Sequence, residues 1–240
     1  MTEPLFSIIT CTNDDAAGLR LTAKSIAVQQ QFTNYEWLVL DHATDEDIIA
    51  EYKTEMTKWL PVTGDNLYLT LNVGIEQATG RYIWFLNPGD CLSDAYVLRD
   101  VAKQIQYNLA PDFIYGDARD NGKIKKAHHA GNFTRGKITA FQAMIFRRTM
   151  VAELRFDPAY SLAADYAFML GILARAKKIF YFPRILCDSQ SSPVSELSAK
   201  GTFWENYYIR RDLLQINPVR NKMIFYLDRI KLFIYRSTNR

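Results

Sequence analysis

The sequence is poor in cysteine and contains no long apolar run. Its three cysteines, Cys11, Cys91 and Cys187, are odd in number and widely spaced, which fits neither a disulfide framework nor a tetrahedral zinc site. Because no stretch of about 18 consecutive apolar residues occurs, we expect no transmembrane helix. The first residues also lack the basic region that a signal peptide carries. These absences predict a cytoplasmic protein.

The sequence also lacks a large excess of charge of either sign. The chain carries 29 Lys and Arg residues against 26 Asp and Glu, and its net charge of +3 over 240 residues is too small to indicate nucleic acid as a partner. Internal repeats and low-complexity segments are missing as well. Hydrophobic residues, in contrast, make up 48% of the chain, which suffices for one domain with a substantial core.

Short apolar runs alternate with longer helical patterns in the first half of the chain. This alternation is typical of a mostly parallel sheet flanked by helices, so it predicts an α/β fold. Gly80, just after the third helical pattern, suits a left-handed helix C-cap. The predicted strands cover residues 5–10, 35–40, 82–86 and 112–117, and the predicted helices cover residues 17–30, 45–59, 67–77 and 94–109.

The second half of the chain begins with a hairpin signal. Asn121 and Gly122 form the strongest two-residue pattern for a β-hairpin turn. Further on, Gln142 is a lone polar group within an apolar run. The remaining predicted elements are a strand at 140–148, an apolar helix that ends near residue 176, and two short strands at 180–182 and 185–187 on either side of Pro183.

Polar residues follow three of the predicted strands at the point where each strand ends. They are Thr12, Asp41 and Asp90. The run that leads to Asp90 stops at Pro88, which has no amide hydrogen with which to continue a strand ladder. In open α/β sheets, ligands bind in the crevice outside the carboxyl ends of the strands. Three polar strand ends therefore predict a ligand site of nucleotide size.

Asp165 falls in the first turn of the apolar helix that ends near residue 176. A carboxylate at that position is stabilised by the helix macrodipole, by about 0.3 to 1 kcal/mol. A purely structural role for Asp165 is therefore sufficient to explain its position, and the pattern alone leaves a catalytic role open.

The C-terminal segment has the pattern of a basic amphipathic helix. Between Val219 and Arg236, apolar residues recur at spacings of four, three and four, with basic residues among them. Such a helix can lie in the interface of an anionic membrane, or it can pack on the domain with its basic face in solvent. We leave both interpretations open, and we place the boundary between a main domain, residues 1–205, and a helical tail, residues 206–240.

Several ordered segments together resemble the inverting glycosyltransferases of family 2, which have the GT-A fold. The resemblance is strongest to small bacterial members from exopolysaccharide, colanic acid and capsule clusters, and it covers roughly residues 6–195. The segments that carry it are FSIIT with TN at 6–13, WLVLD at 37–41, NVGI and ATGRYI at 72–83, FLNPGD at 85–90, FIYGD at 113–117, FQA at 141–143 and AADY at 163–166. Because these segments match in both order and spacing, the signal is specific.

The resemblance implies a role for each matching residue. Asp90 would bind Mn²⁺ or Mg²⁺ on the diphosphate of a sugar nucleotide, and Asp165 would be the catalytic base. Since Asn87 stands where many family members have another acid, the implied metal site has one protein carboxylate. The nucleotide-binding residues would be Thr10, Thr12, Asn13, Asp41, His42 and Asp65. The residues near the donor sugar or the acceptor would be Asn87, Gln142 and Asp117.

These implied roles agree with the chemistry of sugar transfer. Mg²⁺ and Mn²⁺ bind oxygen ligands, and they commonly keep several waters and use only one or two protein carboxylates. Transfer with inversion needs a base that removes the proton of the acceptor hydroxyl, and a positioned carboxylate can contribute roughly 10² to 10⁴ in rate.

The resemblance therefore implies a cytoplasmic, metal-dependent inverting transferase, and the membrane interpretation of the tail would place it at the inner face of the cytoplasmic membrane. It would move a sugar from a nucleotide sugar, with a UDP-sugar as the favoured donor, to a lipid-linked or growing saccharide of a bacterial surface polysaccharide. One alternative is a non-catalytic, sugar-nucleotide-binding member of an assembly complex. Another is a sugar-phosphate nucleotidyltransferase, but its Gly-rich first loop has no counterpart in residues 11–17.

Overall fold

The computed structural model describes residues 3–29, 32–42, 51, 57–64, 66–189 and 196–238. Side chains are described throughout these ranges except at 196–197 and 231–238. The strands are β1 (Phe6–Thr12), β2 (Tyr35–Asp41), β3 (Thr57–Pro61), β4 (Tyr82–Phe85), β5 (Cys91–Leu92), β6 (Phe113–Asp120), β7 (Lys123–Lys125), β8 (Met144–Arg147) and β9 (Ile179–Ser189). The helices are α1 (Ala16–Ala27), α2 (Leu67–Gln77), α3 (Val97–Tyr107), α4 (Arg148–Val151), α5 (Ala164–Arg175), α6 (Glu196–Asp212) and α7 (Pro218–Thr238), with short 3-10 turns at Ala130–Arg135 and Phe141–Ala143.

The described strands form one mixed sheet in the order β3-β2-β1-β4-β8-β6-β9-β5, with β7 paired to β6. Strands β3, β2, β1 and β4 are parallel to one another. Strand β8 is antiparallel to both β4 and β6, whereas β9 is parallel to β6. The prediction of an α/β fold with a mostly parallel sheet is confirmed.

Hydrophobic residues cover both faces of the sheet, so its central strands are buried on both sides. On one face, Ile8 and Trp84 pack with residues of α1 and α3, such as Leu19 and Val101. On the other face, the side chains that alternate with these, including Ile9 and Phe85, pack with α2 and α5. Adjacent residues of a strand point to opposite faces, and near-continuous apolar runs result when both faces are covered.

The predicted helix at 45–59 is wrong at its C-terminal end, and residues 43–50 and 52–56 lie outside the described part of the chain. Residues Thr57 to Pro61 form β3, which pairs in parallel with β2 so that Trp59 lies beside Val39. An aromatic and a leucine in the sequence TKWLP suit a half-buried edge strand, and pairing with β2 outweighs the weak local preference of this short segment.

Two further local predictions are corrected. Gly80 is absent from the glycines with positive φ, so it is not a left-handed C-cap. A Cβ at this position would instead lie 2.6 Å from the backbone nitrogen of Ser7, so close approach of two backbones requires glycine. The two strands expected around Pro183 are one continuous strand, β9, and the register against β6 shifts near Asp117.

The strand predicted at 140–148 is shorter than expected. Residues Phe141–Ala143 form a 3-10 turn, and the strand itself covers Met144–Arg147. The predicted hairpin at Asn121 and Gly122 is confirmed, since both residues have positive φ, 48° and 77°, and they join the antiparallel strands β6 and β7.

The two C-terminal helices pack against each other and against the sheet domain. The sequence boundary at residue 205 falls inside α6. Arg210 on α6 is fully buried and donates from Nε to Oδ1 of Asn221 on α7 at 2.8 Å. Within the described ranges, no helix has both the length and the apolarity that a bilayer span requires.

Candidate active site

The carboxyl ends of β1, β2 and β4 lie next to one another at one edge of the sheet. Thr12 pairs with Asp41 across β1 and β2. On the other side of β1, the amide of Leu86 donates to the carbonyl of Ile9 at 3.0 Å. The turn that begins at Asn87 follows directly. The predicted convergence of the polar strand ends is therefore observed.

The hydroxyl groups of the two predicted threonines differ in their surroundings. Thr10 is fully buried, and its Oγ1 accepts a hydrogen bond from the indole nitrogen of Trp37 at 3.0 Å. Thr12 Oγ1 is buried and has no hydrogen-bond partner among the described residues. Asn13 is exposed in the loop that follows. Thr12 and Asn13 therefore both have polar groups to offer a ligand.

Asp41 and His42 extend the same edge of the sheet. Oδ2 of Asp41 accepts a hydrogen bond from the indole nitrogen of Trp59 at 2.9 Å, and Nε2 of the half-buried His42 lies 3.1 Å from Oγ1 of Thr70. Burial, together with the charge of Asp41, raises the pKa of the neighbouring Cys11 thiol to about 11, so Cys11 stays a neutral thiol. The predicted nucleotide residue Asp65 lies outside the described residues.

The turn from Asn87 to Asp90 is fastened to α1. Gly89 has a φ of 88°, which glycine adopts without strain, and its amide donates to the carbonyl of Gly18 at 2.9 Å. The hydroxyl of Thr22 lies 2.8 Å from the carbonyl of Asp90 and 3.1 Å from the carbonyl of Asn87. The backbone that presents Asp90 is therefore held at several points.

The carboxyl group of Asp90 is 5% exposed. One of its oxygens accepts the amide of Asn87 at 3.0 Å. The pKa of Asp90 is raised to about 6. Burial is the main cause and the charge of Asp120 adds to it, whereas hydrogen bonds from Gln142 and Asn87 offset part of the increase. The site thus holds a carboxylate whose negative charge is poorly compensated by its described neighbours.

The connection between β7 and β8 contacts three of the acidic residues that the sequence singled out. The amide of Ala127 donates to Oδ1 of Asp117 at 2.9 Å. Lys137 forms an ion pair with Asp165, and the Gln142 side chain hydrogen-bonds to Asp90. A single segment therefore links the positions that the sequence assigned to the metal, the base and the substrate region.

Asp117 accepts two hydrogen bonds on one of its carboxylate oxygens. It is 6% exposed, and its Oδ1 also accepts the hydroxyl of Tyr181 at 2.8 Å. Burial and the contact with Asp117 raise the pKa of Tyr181 to about 12, so the tyrosine remains a donor. These bonds give Asp117 an architectural role at the base of the connection between β7 and β8.

The two oxygens of Asp165 have different partners. Oδ2 pairs with Lys137, whereas Oδ1 is buried and has no partner among the described residues. The side chain of Asp165 is 15% exposed, and it lies in the first turn of α5 as predicted. A general base needs a carboxylate that is held in place and still has one oxygen without a hydrogen-bond partner, and Asp165 has this arrangement.

Curated relatives and solved structures agree on the class of protein. No family model matches the chain. Over 199 residues it is 29% identical to the PGL/p-HBAD biosynthesis glycosyltransferase of Mycobacterium bovis, covering 79% of this chain and 77% of that protein. Over 180 residues it is 27% identical to an uncharacterized glycosyltransferase of Mycobacterium tuberculosis, covering 70% of this chain and 68% of the relative.

Comparison with solved structures shows the type of fold. The fold superposes on S. aureus TarS residues 1–349 in complex with UDP-GlcNAc with a TM-score of 0.71 at 17% identity, covering 92% of this chain and 70% of that one. The chain is therefore similar to glycosyltransferases in sequence, and its fold is similar to that of TarS. It also matches the mannosyltransferase PcManGT of Pyrobaculum calidifontis in complex with GDP-Man and Mn²⁺, with a TM-score of 0.70 at 15% identity, over 94% of this chain and 69% of that one.

The fold is thus of the GT-A type. The chain spans 42% of the longer TarS chain that has also been solved. The shared part contains the sheet and the strand ends described above, since 91% of this chain is covered.

The residues around Asp90 fit a divalent cation with few protein ligands. Among the described residues, no three His, Cys, Asp or Glu side chains come together as a metal cage. A buried carboxylate whose pKa is raised to about 6 nevertheless offers a hard oxygen ligand in a negatively charged environment. Because Mg²⁺ and Mn²⁺ complete their shells with water and substrate phosphates, one carboxylate suffices.

Sequence reasoning missed three residues of the candidate site. Lys137 was not predicted because a lone lysine in a loop has no signature, and its contact with Asp165 spans 28 residues. Trp59 was assigned to a helix, so its bond to Asp41 could not be foreseen. Glu205 was placed at the edge of the domain, yet it contacts the backbone just before Asp165. Only packing brings these side chains to the site.

Proposed function

We propose that the protein is a glycosyltransferase, namely a metal-dependent, inverting enzyme of family 2 that transfers one sugar from a nucleotide sugar to a saccharide acceptor. One observation supports this proposal most directly. Oδ1 of Asp165 is buried and has no hydrogen-bond partner among the described residues, while Lys137 holds the other oxygen of the same carboxylate. Retention with a covalent intermediate would need a nucleophile at the sugar, whereas single displacement needs only a base and a stabilised leaving group.

The nucleotide would lie at the carboxyl ends of β1 and β2. Thr12, Asn13, Asp41 and His42 supply polar groups there, and Asp65 belongs to the same proposal although it lies outside the described residues. The fully buried Thr10 would support the loop through its bond to Trp37. Since TarS is solved with UDP-GlcNAc and PcManGT with GDP-Man, we take a UDP-sugar as the first candidate donor and a GDP-sugar as the second.

Asp165 would act on the acceptor. Its Oδ1 removes the proton of the acceptor hydroxyl while that oxygen attacks the anomeric carbon of the donor. The bond between the anomeric carbon and the diphosphate oxygen breaks on the opposite face, and its electron pair leaves with the nucleoside diphosphate. Lys137 holds the carboxylate in place during this step, and Gln142 and Asn87 border the space between Asp90 and the sugar.

Asp90 would hold the divalent cation, Mn²⁺ or Mg²⁺, which supplies electrostatic stabilisation of the departing diphosphate when bound. The chain's own part is to present one carboxylate from a rigid turn. The bonds of Gly89 and Thr22 to that turn fix the position of Asp90, so that little reorganisation is needed on binding.

The acceptor would be a lipid-linked saccharide at a membrane surface. Helix α7 supports this, because it packs on α6 through Asn221, Ile224 and Phe225, which are at most 9% exposed. A second set of apolar side chains points away from the domain and is about half exposed or more. These are Val219, Met223, Tyr226, Leu227 and Ile230.

Basic residues flank this exposed apolar set, at Arg220, Lys222 and Arg229. We therefore extend the proposal to peripheral contact of the segment Val219–Arg236 with the anionic inner leaflet. Each basic side chain near such a surface contributes about 1 kcal/mol. Both sequence interpretations of the tail are thus combined, because one face packs on the domain while the other remains available.

The test is nucleoside diphosphate release with UDP-glucose, UDP-galactose, UDP-N-acetylglucosamine and GDP-mannose, each with Mn²⁺ and a detergent-solubilised bacterial lipid extract. We expect one donor to support acceptor-dependent release. The Asp165→Asn variant should lose this release by about 10² to 10⁴ and keep the thermal stabilisation that the same nucleotide gives. Near-wild-type turnover of Asp165→Asn would exclude its role as the base. Donor binding without release by the wild-type protein would favour a non-catalytic role.

A further inference from the structure

The backbone that leads into α5 is held by a carboxylate from a distant part of the chain. Glu205 on α6 accepts the amide of Ser161 at 3.0 Å, that of Leu162 at 2.9 Å and that of Ala163 at 2.7 Å. It also accepts the hydroxyl of Ser161 at 3.0 Å. Four donors therefore converge on one carboxylate immediately before the first turn of the helix that carries Asp165.

The next amides are covered from the opposite side. The hydroxyl of Tyr68 on α2 lies by the backbone N–H groups of Ala164 and Asp165. Burial and the charge of Asp165 raise the pKa of Tyr68 above its ordinary value, and the two N–H groups offset part of this increase. Tyr68 stacks on Phe156 with ring centroids 5.5 Å apart. Five consecutive amides, from Ser161 to Asp165, thus face side chains of α6 and α2.

Helix α6 also contacts the residue that follows Asp165. The fully buried Arg210 lies near the hydroxyl of Tyr166 and offsets part of the rise in pKa that burial causes there, and that hydroxyl donates to the carbonyl of Phe133 at 2.7 Å. Helix α6 therefore binds the backbone before Asp165 and lies beside the side chain that follows it. Ala163, the residue at the N-cap of α5, has no side-chain hydrogen bond of its own to offer, so the acid from α6 supplies what a local cap would otherwise provide.

We propose that Glu205 is a positioning residue for the catalytic step, which sets the orientation of Asp165 by binding the backbone of residues 161–163. This rests on the proposed role of Asp165 as base. It makes the C-terminal helices part of the active-site framework, although the sequence separates them from the main domain at residue 205. A displacement of about 1 Å at a reacting group can cost as much as 10² in rate, so loss of this hold affects turnover more than donor binding.

The main variant is Glu205→Gln, which replaces one accepting oxygen by an amide that cannot accept from the backbone. The matched control on the same helix is Asp212→Asn, whose described side-chain hydrogen bonds come from the adjacent Arg211. With the donor panel, Mn²⁺ and lipid extract given above, we expect Glu205→Gln to lower kcat by about tenfold to a hundredfold while the KM for the donor stays within twofold of wild type. Asp212→Asn should change neither.

Hydrogen exchange gives a second readout that needs no substrate. In Glu205→Gln, the amides of residues 161–166 should exchange at least about tenfold faster, because local opening costs less free energy, whereas the amides of β1 and β4 should not change. Ser161→Ala removes only the hydroxyl contact at an exposed position, so it should shift both readouts in the same direction by less. It also keeps the inference testable if Glu205→Gln fails to fold.

The outcomes separate the two proposals. If kcat and hydrogen exchange are unchanged in Glu205→Gln, Glu205 has no positioning role. Ser161→Ala takes its place in this comparison if only that variant folds. Loss of activity in Asp165→Asn would still support the role of Asp165 as base. An active Asp165→Asn would instead overturn the assignment of the base. Addition of Glu205→Gln to Asp165→Asn should cause no further loss of turnover, since residues that act as a unit are not additive. An additional loss of tenfold or more would contradict action through Asp165.

Discussion

Lys137 forms an ion pair with Oδ2 of Asp165 and leaves Oδ1 of the same carboxylate buried without a described partner. The lysine side chain is 39% exposed, so the pair contributes little to stability, at most about 1 kcal/mol. Its effect is on geometry, because it fixes which oxygen of Asp165 is left without a partner.

Replacement of Lys137 by Gln should therefore affect turnover much more than folding. We expect kcat to fall by about tenfold, with a change of less than about 1 kcal/mol in the free energy of unfolding. The control is Lys125→Gln, which removes a similar exposed ion pair with Asp120 on the hairpin. If both variants keep wild-type turnover, Lys137 has no part in the step.

Replacement of Asp90 by Asn should remove the metal-dependent part of nucleotide binding. In wild-type protein, UDP with Mn²⁺ should raise the melting temperature more than UDP with EDTA, since ligands that bind only the folded state stabilise it. Asp90→Asn should abolish that difference. Asp112→Asn serves as the control, because it also removes a buried carboxylate but at the start of β6. A Mn²⁺-dependent shift that survives in Asp90→Asn would place the metal elsewhere.

Glu36 gives a prediction about pH. This buried acid accepts bonds from Ser7, Thr79, Gly80 and Lys58. Burial raises its pKa, but the bonds from Lys58, Ser7 and Thr79 outweigh this and hold the pKa below its ordinary value of 4.5. The ionised form is therefore bound more tightly in the folded state, and its stabilisation is fully present above pH 4.5 and is lost as the pH falls through the folded pKa.

Glu36→Gln should accordingly lower the free energy of unfolding at pH 7 by about 1.5 to 3 kcal/mol, the usual contribution of hydrogen bonds to a charged group. The difference between wild type and variant should shrink as the pH falls below 4.5. Urea unfolding at several pH values measures both. A difference that stays constant down to pH 3 would contradict the assigned ionisation of Glu36.

Substitutions at Gly80 test whether glycine is needed for the close approach of two backbones or for a left-handed helix cap. Because a Cβ would lie 2.6 Å from the nitrogen of Ser7, we expect Gly80→Ala to cost about 1 to 3 kcal/mol through overpacking, and Gly80→Asn to cost at least as much. Asparagine is tolerated at left-handed positions, so a clearly milder effect of Asn than of Ala in thermal unfolding would restore the C-cap interpretation.

The exposed face of α7 gives a prediction about membranes. The wild-type protein should float with vesicles that contain phosphatidylglycerol and less with pure phosphatidylcholine, and high salt should weaken the binding. Met223→Ser combined with Leu227→Ser should reduce flotation. Ile124→Ser is the control, because Ile124 is also more than half exposed but lies on β7. Equal flotation of all variants would rule out contact through α7.

Much of the fold follows from local sequence patterns. Alternating apolar runs and helical patterns predict the α/β class, and the hairpin at Asn121 and Gly122 is fixed by residues that adopt positive φ readily. The polar ends of β1, β2 and β4 converge as predicted because parallel neighbouring strands bring their carboxyl ends to one edge. Errors occur where short segments have weak preferences, as at β3, where strand pairing decides.

The sequence by itself determined the class of fold, the strand ends and the positions of Asp90 and Asp165. Only the tertiary structure decided what surrounds those two acids. Lys137 and Glu205 approach Asp165 or its backbone from segments 28 and about 40 residues away, and no local periodicity encodes such contacts. Hydrogen bonds and ion pairs depend on distance in space, so their partners are set when α6 and the connection between β7 and β8 pack on the sheet.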